Sequence, residues 1–531
     1  MGALRVLPGG VGEASSPFAR AREHVAGSER FLASAEASEM KHSDMERDIE
    51  ARGRELMRLW YQAWLDLQVP GDVEQPVVDA EGKERTRKRT QSRELESIFG
   101  TVTMERTGYG AEGEASLHPL DGKLNLPEER YSLEVRRRAA EEASKNCFEE
   151  AAETLARYTG AHVPKRQIEE LVSRAAQDFD DFYETRRQEG AGAPAGAGSL
   201  LVITSDGKGV VMHKDDLRPA TRKAAERKGA SQLRTRLSKG EKRGRKRMAT
   251  VAAIYTVPPY VRTPQEMLAV LSRAQEPEPE RTPRPRPEHK RVLASLEKEP
   301  REVLEEAFLD ACDRDPDGVK TWVALVDGNE AQLAILEDLA EQYAARLTIV
   351  LDIFHVLEYV WEAGHAFHAE GSAEVEPWVL ERLGRILQGE ASQVAAGMRR
   401  SATKRGLPKN QRKPIDTCAG YLLKYKSYLA YDEYLALGMP IATGVIEGAC
   451  RHLVKDRLAR TGARWRLAGA EAVLRLRALR SSGDFDQYWR FHEACEHERN
   501  HPHRYAEGKV PATRSTHNPT PSPHPHLKRI K

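Results

Sequence analysis

At 531 residues the chain is too long for one core and is expected to fold as several modules, each burying its own interior. A formal net charge of +2 conceals local asymmetry, because 83 basic and 81 acidic residues are unevenly spread. Cys147, Cys312, Cys418, Cys450 and Cys495 show no CxxC spacing, which argues against a zinc ribbon or a disulfide framework and fits a reducing cytoplasm. No apolar run approaches a membrane span and no signal-peptide pattern opens the chain, so a soluble protein with no membrane partner is expected.

Residues 1–38, rich in Gly, Ala, Ser and Glu without sustained periodicity, are expected to be a mobile leader. Residues 39–189 form a helical module. Within it Ile49, Leu56, Trp60, Trp64 and Leu67 share one helical stripe, a pattern of core or of oligomer contact. The stretch from Gln75 to Arg93 is polar and charged, and IFGTVTMERTGYG then reads as a short hairpin. Farther on, CFEEAAETLARYTGAHVPKRQIEELVSRAA places two amphipathic helices around a tight GAHVP turn. These are the proportions of a helix-turn-helix, whose second helix would enter a DNA groove leading with Lys165, Arg166 and Gln167, and equally those of a plain helical hairpin. The Gly/Ala run at 190–199 is a linker.

After the linker, apolar runs and helical spacings predict strands at 200–205, 210–213 and 248–257, a helix at 300–314, a strand at 321–326, a helix at 330–344 and a strand at 347–351. This is the order of an RNase H-like sheet, so the expected fold class is multi-domain α/β plus α. The core would occupy 200–354 and resume at 441–495 after an all-α insertion at 355–440. Two inserts decorate it, the basic stretch from Arg218 to Arg247 and the run EPEPERTPRPRPEHKR, expected as an extended surface loop. Residues 496–531 have too few apolar groups to fold and are expected to be a disordered tail.

Three of the apolar runs deliver an acid at or near their carboxyl end: LLVITSD at Asp206, WVALVD at Asp327 and LTIVLD at Asp352. Sheets covered by helices place ligands at that edge. Asp206 and Asp327 are each followed by glycine, which lets a nucleic-acid backbone approach, and they would face each other across neighbouring strand ends. Glu447 in GVIEGACRHLVKDRL shares a polar stripe with Arg451 and Lys455 near the start of a helix; the bland alternative is a surface Glu–Arg pair. Such an acid cluster suits hard divalent cations, and two Mg2+ ions about 3.5 to 4 Å apart serve phosphodiester chemistry. Asp352 competes with Asp327 as the second acid and forms an Asp-x-x-His arrangement with His355.

Between Arg218 and Arg247 stand 13 basic residues against Glu226 and Glu241, including Lys242, Arg243, Arg245, Lys246 and Arg247. Such a segment would neutralise phosphates without reading sequence. A second basic stretch follows Glu447, with Arg451, Lys455 and Arg464, and Trp465 is either a stacking platform for an unpaired base or a core residue.

The runs ITSDGKGV, VALVDGNEAQLAILEDLAEQYAARLTIVLDIFHVLEYVWEAGHAF and TGVIEGACRHLVKDRLARTGARW resemble insertion-sequence transposases of the DDE class, in particular the ISKra branch, and the broader Mutator and hAT-like enzymes. The resemblance spans roughly residues 95 to 490. It implies Asp206, Asp327 and Glu447 as catalytic and metal-binding acids, with Asp352 and His355 as an accessory signature. It also implies an RNase H-like core, Mg2+ with Mn2+ as substitute, and a bacterial, nucleoid-associated setting. The implied substrates are double-stranded DNA at terminal inverted repeats and at a target, joined in a homodimer or larger synaptic complex. Other readings are a non-catalytic DNA-binding descendant and a structure-specific nuclease.

Overall fold

Two sheets carry the architecture in the computed structural model, which describes residues 16–68, 70–190, 200–229, 245–272, 283–460 and 462–514. The chain divides into two units, Met1–Asp178 with Asp486–Lys531, and Phe179–Phe485.

In the first unit, β1 (Arg87–Ser97) and β2 (Gly100–Gly110) pair antiparallel down to Ser97 opposite Gly100, so Ile98 and Phe99 make the turn. The segment expected to be the whole hairpin supplies only its turn and second strand, and the first strand begins inside the polar stretch, at Arg87. Its first four residues are exposed, which erased the period-2 signal a half-buried strand carries. Leu95, Val102 and Met104 from the hairpin bury against Leu65, Leu120 and Leu126. Helix His42–Asp66 supplies Leu65 and Ala63 to the interior but leaves Ile49, Met57, Trp60 and Trp64 exposed, so the apolar stripe does not serve this unit's core. Two expectations of disorder fail locally. Helix Ala19–Leu32 lies in the presumed leader. In the presumed tail, Tyr505 packs with Val77, Tyr109 and Leu117, and Thr513 bridges to Val73.

Helices Leu133–Lys145, Phe148–Tyr158 and Lys165–Ala175 pack on one another, so the two-helix reading is met with a third helix added. Ser132 caps the first, accepting from Val135 N, and Cys147 with Glu150 forms a capping box on the second. Ile168, Leu171, Val172 and Ala175 turn inward, as the spacing predicts.

The second unit holds β3 (Leu200–Met212), β4 (Arg245–Val257), β5 (Glu288–Ser295), β6 (Thr321–Val326) and β7 (Leu347–Leu351), in spatial order β5-β4-β3-β6-β7. The β3–β4 and β4–β5 pairs are antiparallel, while β3–β6 and β6–β7 are parallel. Helices Pro300–Arg314 and Glu330–Gln342 make the connections and bury Val303, Leu304, Phe308, Leu333 and Leu336. Each such side chain stabilises the layer by about 1.5–3 kcal/mol. Two strand expectations change. The segments 200–205 and 210–213 are one continuous strand, and β5 begins inside the Pro-Arg run expected as a loop. Helices Ile353–Phe367, Val375–Leu387, Ala391–Lys404 and Lys409–Lys424 follow β7. No described helix is long and apolar enough to cross a membrane.

Candidate functional site

β3, β6 and β7 run parallel, and an acid stands directly after β6, another directly after β7, and a third within β3 just past its last rung with β6. The β3–β6 ladder ends at Thr204 opposite Leu325, while β3 continues against β4 with Asp206 opposite Val251. Asp206 thus lies mid-strand, correcting its expected place at a strand terminus. It nonetheless stands just past the last parallel rung, level with the end of β6. Asp327 follows β6 directly, and its Oδ1 accepts from Asn329 N at 3.1 Å. Gly328 has φ +89° and would bring a Cβ within 3.0 Å of Tyr421 Oη, so only glycine suits this turn. The Tyr421 hydroxyl donates to the Asp327 carbonyl at 3.3 Å, and its ring stacks on Tyr359 at 4.2 Å.

Glu447 sits in the first turns of helix Gly444–Ala449, which widens into a π turn over Cys450–Lys455. Such irregular turns recur at functional sites. Glu447 and Arg451 do not form the surface pair considered above; Arg451 Nε instead approaches Asp456 Oδ1 at 3.6 Å. The buried Cys450 thiol donates to Asp206 Oδ2 at 3.4 Å, and burial together with Asp206 raises its pKa.

Asp206, Asp327, Asp352, His355 and Glu447 line a cleft of about 680 Å³, with Lys208, Arg451 and Lys455 on its walls. Asp206, Asp327 and Glu447 form no ion pair with any described residue. Their ligand atoms do not all fall within 4.8 Å of one another.

Asp352 differs from them. It is 4% exposed and caps helix Ile353–Phe367 by accepting from Phe354 N. Thr443 donates to it twice, from Oγ1 at 2.5 Å and from N at 3.3 Å. Burial raises its pKa, and these hydrogen bonds only partly oppose the shift. The contacts tie the end of β7 to the residue preceding the Glu447 helix. His355 does not hydrogen-bond Asp352; its Nδ1 lies 3.4 Å from Glu358 and its ring meets Tyr359 edge-on.

The predicted basic residues scatter. Lys242 and Arg243 lie outside the described residues. Arg245, Lys246 and Arg247 open β4, and Arg247 is committed to the carbonyls of Leu296 and Asp216 at 2.7 and 3.1 Å. Arg464 is exposed. Trp465 is 7% exposed, donates Nε1 to Leu458 O at 3.0 Å and bridges to Met212 beside β3, so it is a core residue and no stacking platform. In the first unit Lys165 and Arg166 are exposed at a helix start, beside Glu169 and Glu170, and Arg166 pairs with Glu170.

Sequence reasoning missed Lys208, Cys450, Thr443 and Tyr421. Cys450 stands three residues after Glu447, so helical spacing alone flags it; Thr443 and Tyr421 reach the cleft through contacts no local pattern encodes.

The triad whose ligand atoms do meet within 4.8 Å lies in the first unit: Asp178, His492 and Glu496, all buried. Arg136 Nη1 donates to His492 Nε2 at 3.0 Å and pairs with Glu496 at 2.7 Å. Since arginine only donates, His492 Nε2 is the acceptor and Nδ1–H donates to Asp178 Oδ2 at 2.6 Å. Arg499 pairs with both carboxylates. Guanidinium hydrogens occupy the oxygens a cation would need, so this is a structural ion network.

No known family profile matches the chain, and no curated protein is similar to it in sequence.

Proposed function

We propose that the second unit is an RNase H-like catalytic core and that the chain is a DDE-class transposase, hydrolysing a phosphodiester at each end of its own element and joining the freed 3′-hydroxyl to target DNA. The observation that carries this reading is the meeting of three carboxylates, each without an ion-pair partner among the described residues, in one cleft at the carboxyl edge of a sheet ordered third, second, first, fourth, fifth, with only the second strand reversed. Strand order and directions match those of the RNase H-like sheet. Asp206 and Asp327 come from adjoining strands and Glu447 from a later helix, across the helical segment expected as an insertion.

The donor set fits Mg2+. Three carboxylates without cationic partners among the described residues are hard oxygen ligands in a polar cleft open to a backbone phosphate. Bound there, the ions would supply nucleophile activation and neutralisation of charge on the leaving oxygen. The chain's own part is to hold the acids. Cys450 and the Gly207 amide orient the two oxygens of Asp206. Tyr421 fixes the turn that carries Asp327. Asp352 and Thr443 anchor the start of the Glu447 helix. Lys208, Arg451 and Lys455 stand where DNA phosphates would pass. In the first unit, the helix starting at Lys165 is proposed to read the terminal repeats.

The test is cleavage and joining of DNA flanking the native gene with Mg2+ or Mn2+. Asp206→Asn and Asp327→Asn are expected to lose joining at least about 100-fold, the scale on which preorganised charge stabilisation acts. Asp352→Asn is expected to reduce joining without abolishing it. Retained joining in Asp327→Asn moves the second acid to Asp352; a wild type that binds these ends yet never cuts or joins them removes the catalytic reading.

A further inference from the structure

Beside the acid cleft, and separated from it by the Gly444 turn that lines both, lies a second pocket of about 310 Å³, near the lower end of the usual ~300–1,000 Å³ for ligand sites. Its walls are Tyr255 and Tyr260, four prolines and Val445, and three arginines enter it: Arg262, Arg284 and Arg286. No carboxylate lines it among the described residues, whereas the cleft on the other side of Gly444 is lined by five.

The pocket is built by specific contacts. At Pro258 and Pro259 the chain leaves β4, since neither residue has an amide hydrogen to extend the ladder. The departing segment is held against the turn at 435–438, with Tyr260 N donating to Gly438 O at 2.9 Å and Arg262 N to Leu435 O at 3.1 Å. Gly438 has φ +73°, and a Cβ there would sit 2.6 Å from Tyr260 N, so any other residue would push this wall away. The Arg262 guanidinium donates to the carbonyls of Tyr260 and Met439 and lies over the Tyr260 ring. Glu266, four residues after Arg262, is engaged in capping its own helix through Thr263. Arg284 and Arg286 alternate with Pro283, Pro285 and Pro287, whose restricted φ keeps the segment extended and directs both cations to one pocket at little entropic cost.

Three cations with no anion among the described lining residues call for a negatively charged ligand, and aromatic and proline faces call for a flat, weakly polar one. An unpaired nucleotide has both parts. We propose that this pocket receives one unstacked nucleotide of a DNA strand whose backbone continues into the acid cleft, Arg284 and Arg286 taking its phosphate and the Tyr260 wall its base. The link to catalysis rests on the transposase reading of the cleft; the ligand class follows from the pocket alone.

The experiment is equilibrium binding of a short oligothymidylate carrying one 2-aminopurine to the full chain in EDTA, at several salt concentrations. An Arg284→Ala/Arg286→Ala double variant is expected to bind roughly 10-fold or more weakly and to flatten the salt dependence by about one to two contacts' worth, each near 0.7 in the log–log slope. Tyr260→Ala is expected to lose 2-aminopurine quenching and about 10-fold in affinity, with Tyr260→Phe retaining both. Asp206→Asn, which removes an acid from the cleft the strand is proposed to enter, is expected to bind no more weakly than wild type. Unchanged affinity, salt slope and quenching in the arginine and Tyr260→Ala variants overturns the proposal, and if joining of element ends persists, the transposase reading survives it. Conversely, loss of oligonucleotide binding in these variants of a protein that never cuts DNA supports the pocket and removes the cleft chemistry.

Discussion

Asp178 and Glu496 in one unit, and Asp206, Asp327 and Glu447 in the other, are carboxylates that folding draws together, yet their surroundings differ in kind. The first two are buried and enclosed by Arg136, Arg499 and a neutral His492, so every charge has a partner. The other three line an open cleft and pair with no described cation. Proximity alone would choose the first group as a metal site, since only its ligand atoms meet within 4.8 Å. Partner chemistry reverses that choice. A paired, buried network stabilises a fold by leaving no charge unsatisfied, whereas like charges left unpaired at a sheet edge cost stability and are retained where they hold something else.

The largest expected effect tests the first half of this contrast. Arg136→Met removes the buried guanidinium shared by Glu496 and the half-buried Glu129, leaving them only the more exposed Arg499 and Arg174, and is expected to cost about 3–5 kcal/mol in urea unfolding. Asp206→Asn, which relieves like-charge crowding, is expected to leave the midpoint unchanged or slightly raised. A comparable loss from Asp206→Asn would mean that the cleft acids are structural too.

Next in size is the pH response. Burial, with Arg106 beside one and His497 beside the other, pushes the His118 and His501 pKa values from 6.5 down to about 4. The unfolded chain binds these protons more readily, so the stability they contribute is present above pH 6.5 and is lost as pH falls toward 4, by at most about 3 kcal/mol for each. Glu496 extends the loss at lower pH. Burial alone would raise its pKa, but Arg136 holds it below the usual carboxylate range, so its contribution disappears as pH falls through that lowered value. Urea titrations of His118→Gln and His501→Gln at pH 7.5 and 5 are expected to show a flatter profile than wild type.

The smallest effect concerns Asp352, which stands between the two classes: buried like the network, placed like the cleft acids. Its pKa lies above 3.8, so the folded state holds its proton longer than the unfolded chain does, and stability from this group declines as pH rises through the raised value. Asp352→Asn can still bond Thr443, because a hydroxyl both donates and accepts. The variant is expected to change stability at pH 7 by no more than about 1 kcal/mol and to remove that decline above pH 3.8. An unchanged decline would assign the titration to another buried acid, such as Glu471, whose pKa burial also raises.

The amino-acid order by itself determined the sheet's central elements and which acids stand at their ends. Runs such as LLVITS, WVALV and LTIVL are apolar on both faces, and such runs find burial in the middle of a helix-covered sheet. The chain then has to emerge at the residue that follows, which is why Asp327 and Asp352 were legible. Helical spacing exposed the pair around GAHVP in the same way. Tertiary structure decided the rest through pairings distant in sequence. Asp206 and the polar residues after it are strand because β4 offers a ladder, and Glu288–Ser295 is strand because β4 has a second free edge. Trp465 is buried because residues 211–213 hold its backbone. Thr443 meets Asp352 across 91 positions. Local pattern reports what a segment can bury, whereas its partner is set by which edges and cavities the remainder of the fold leaves open.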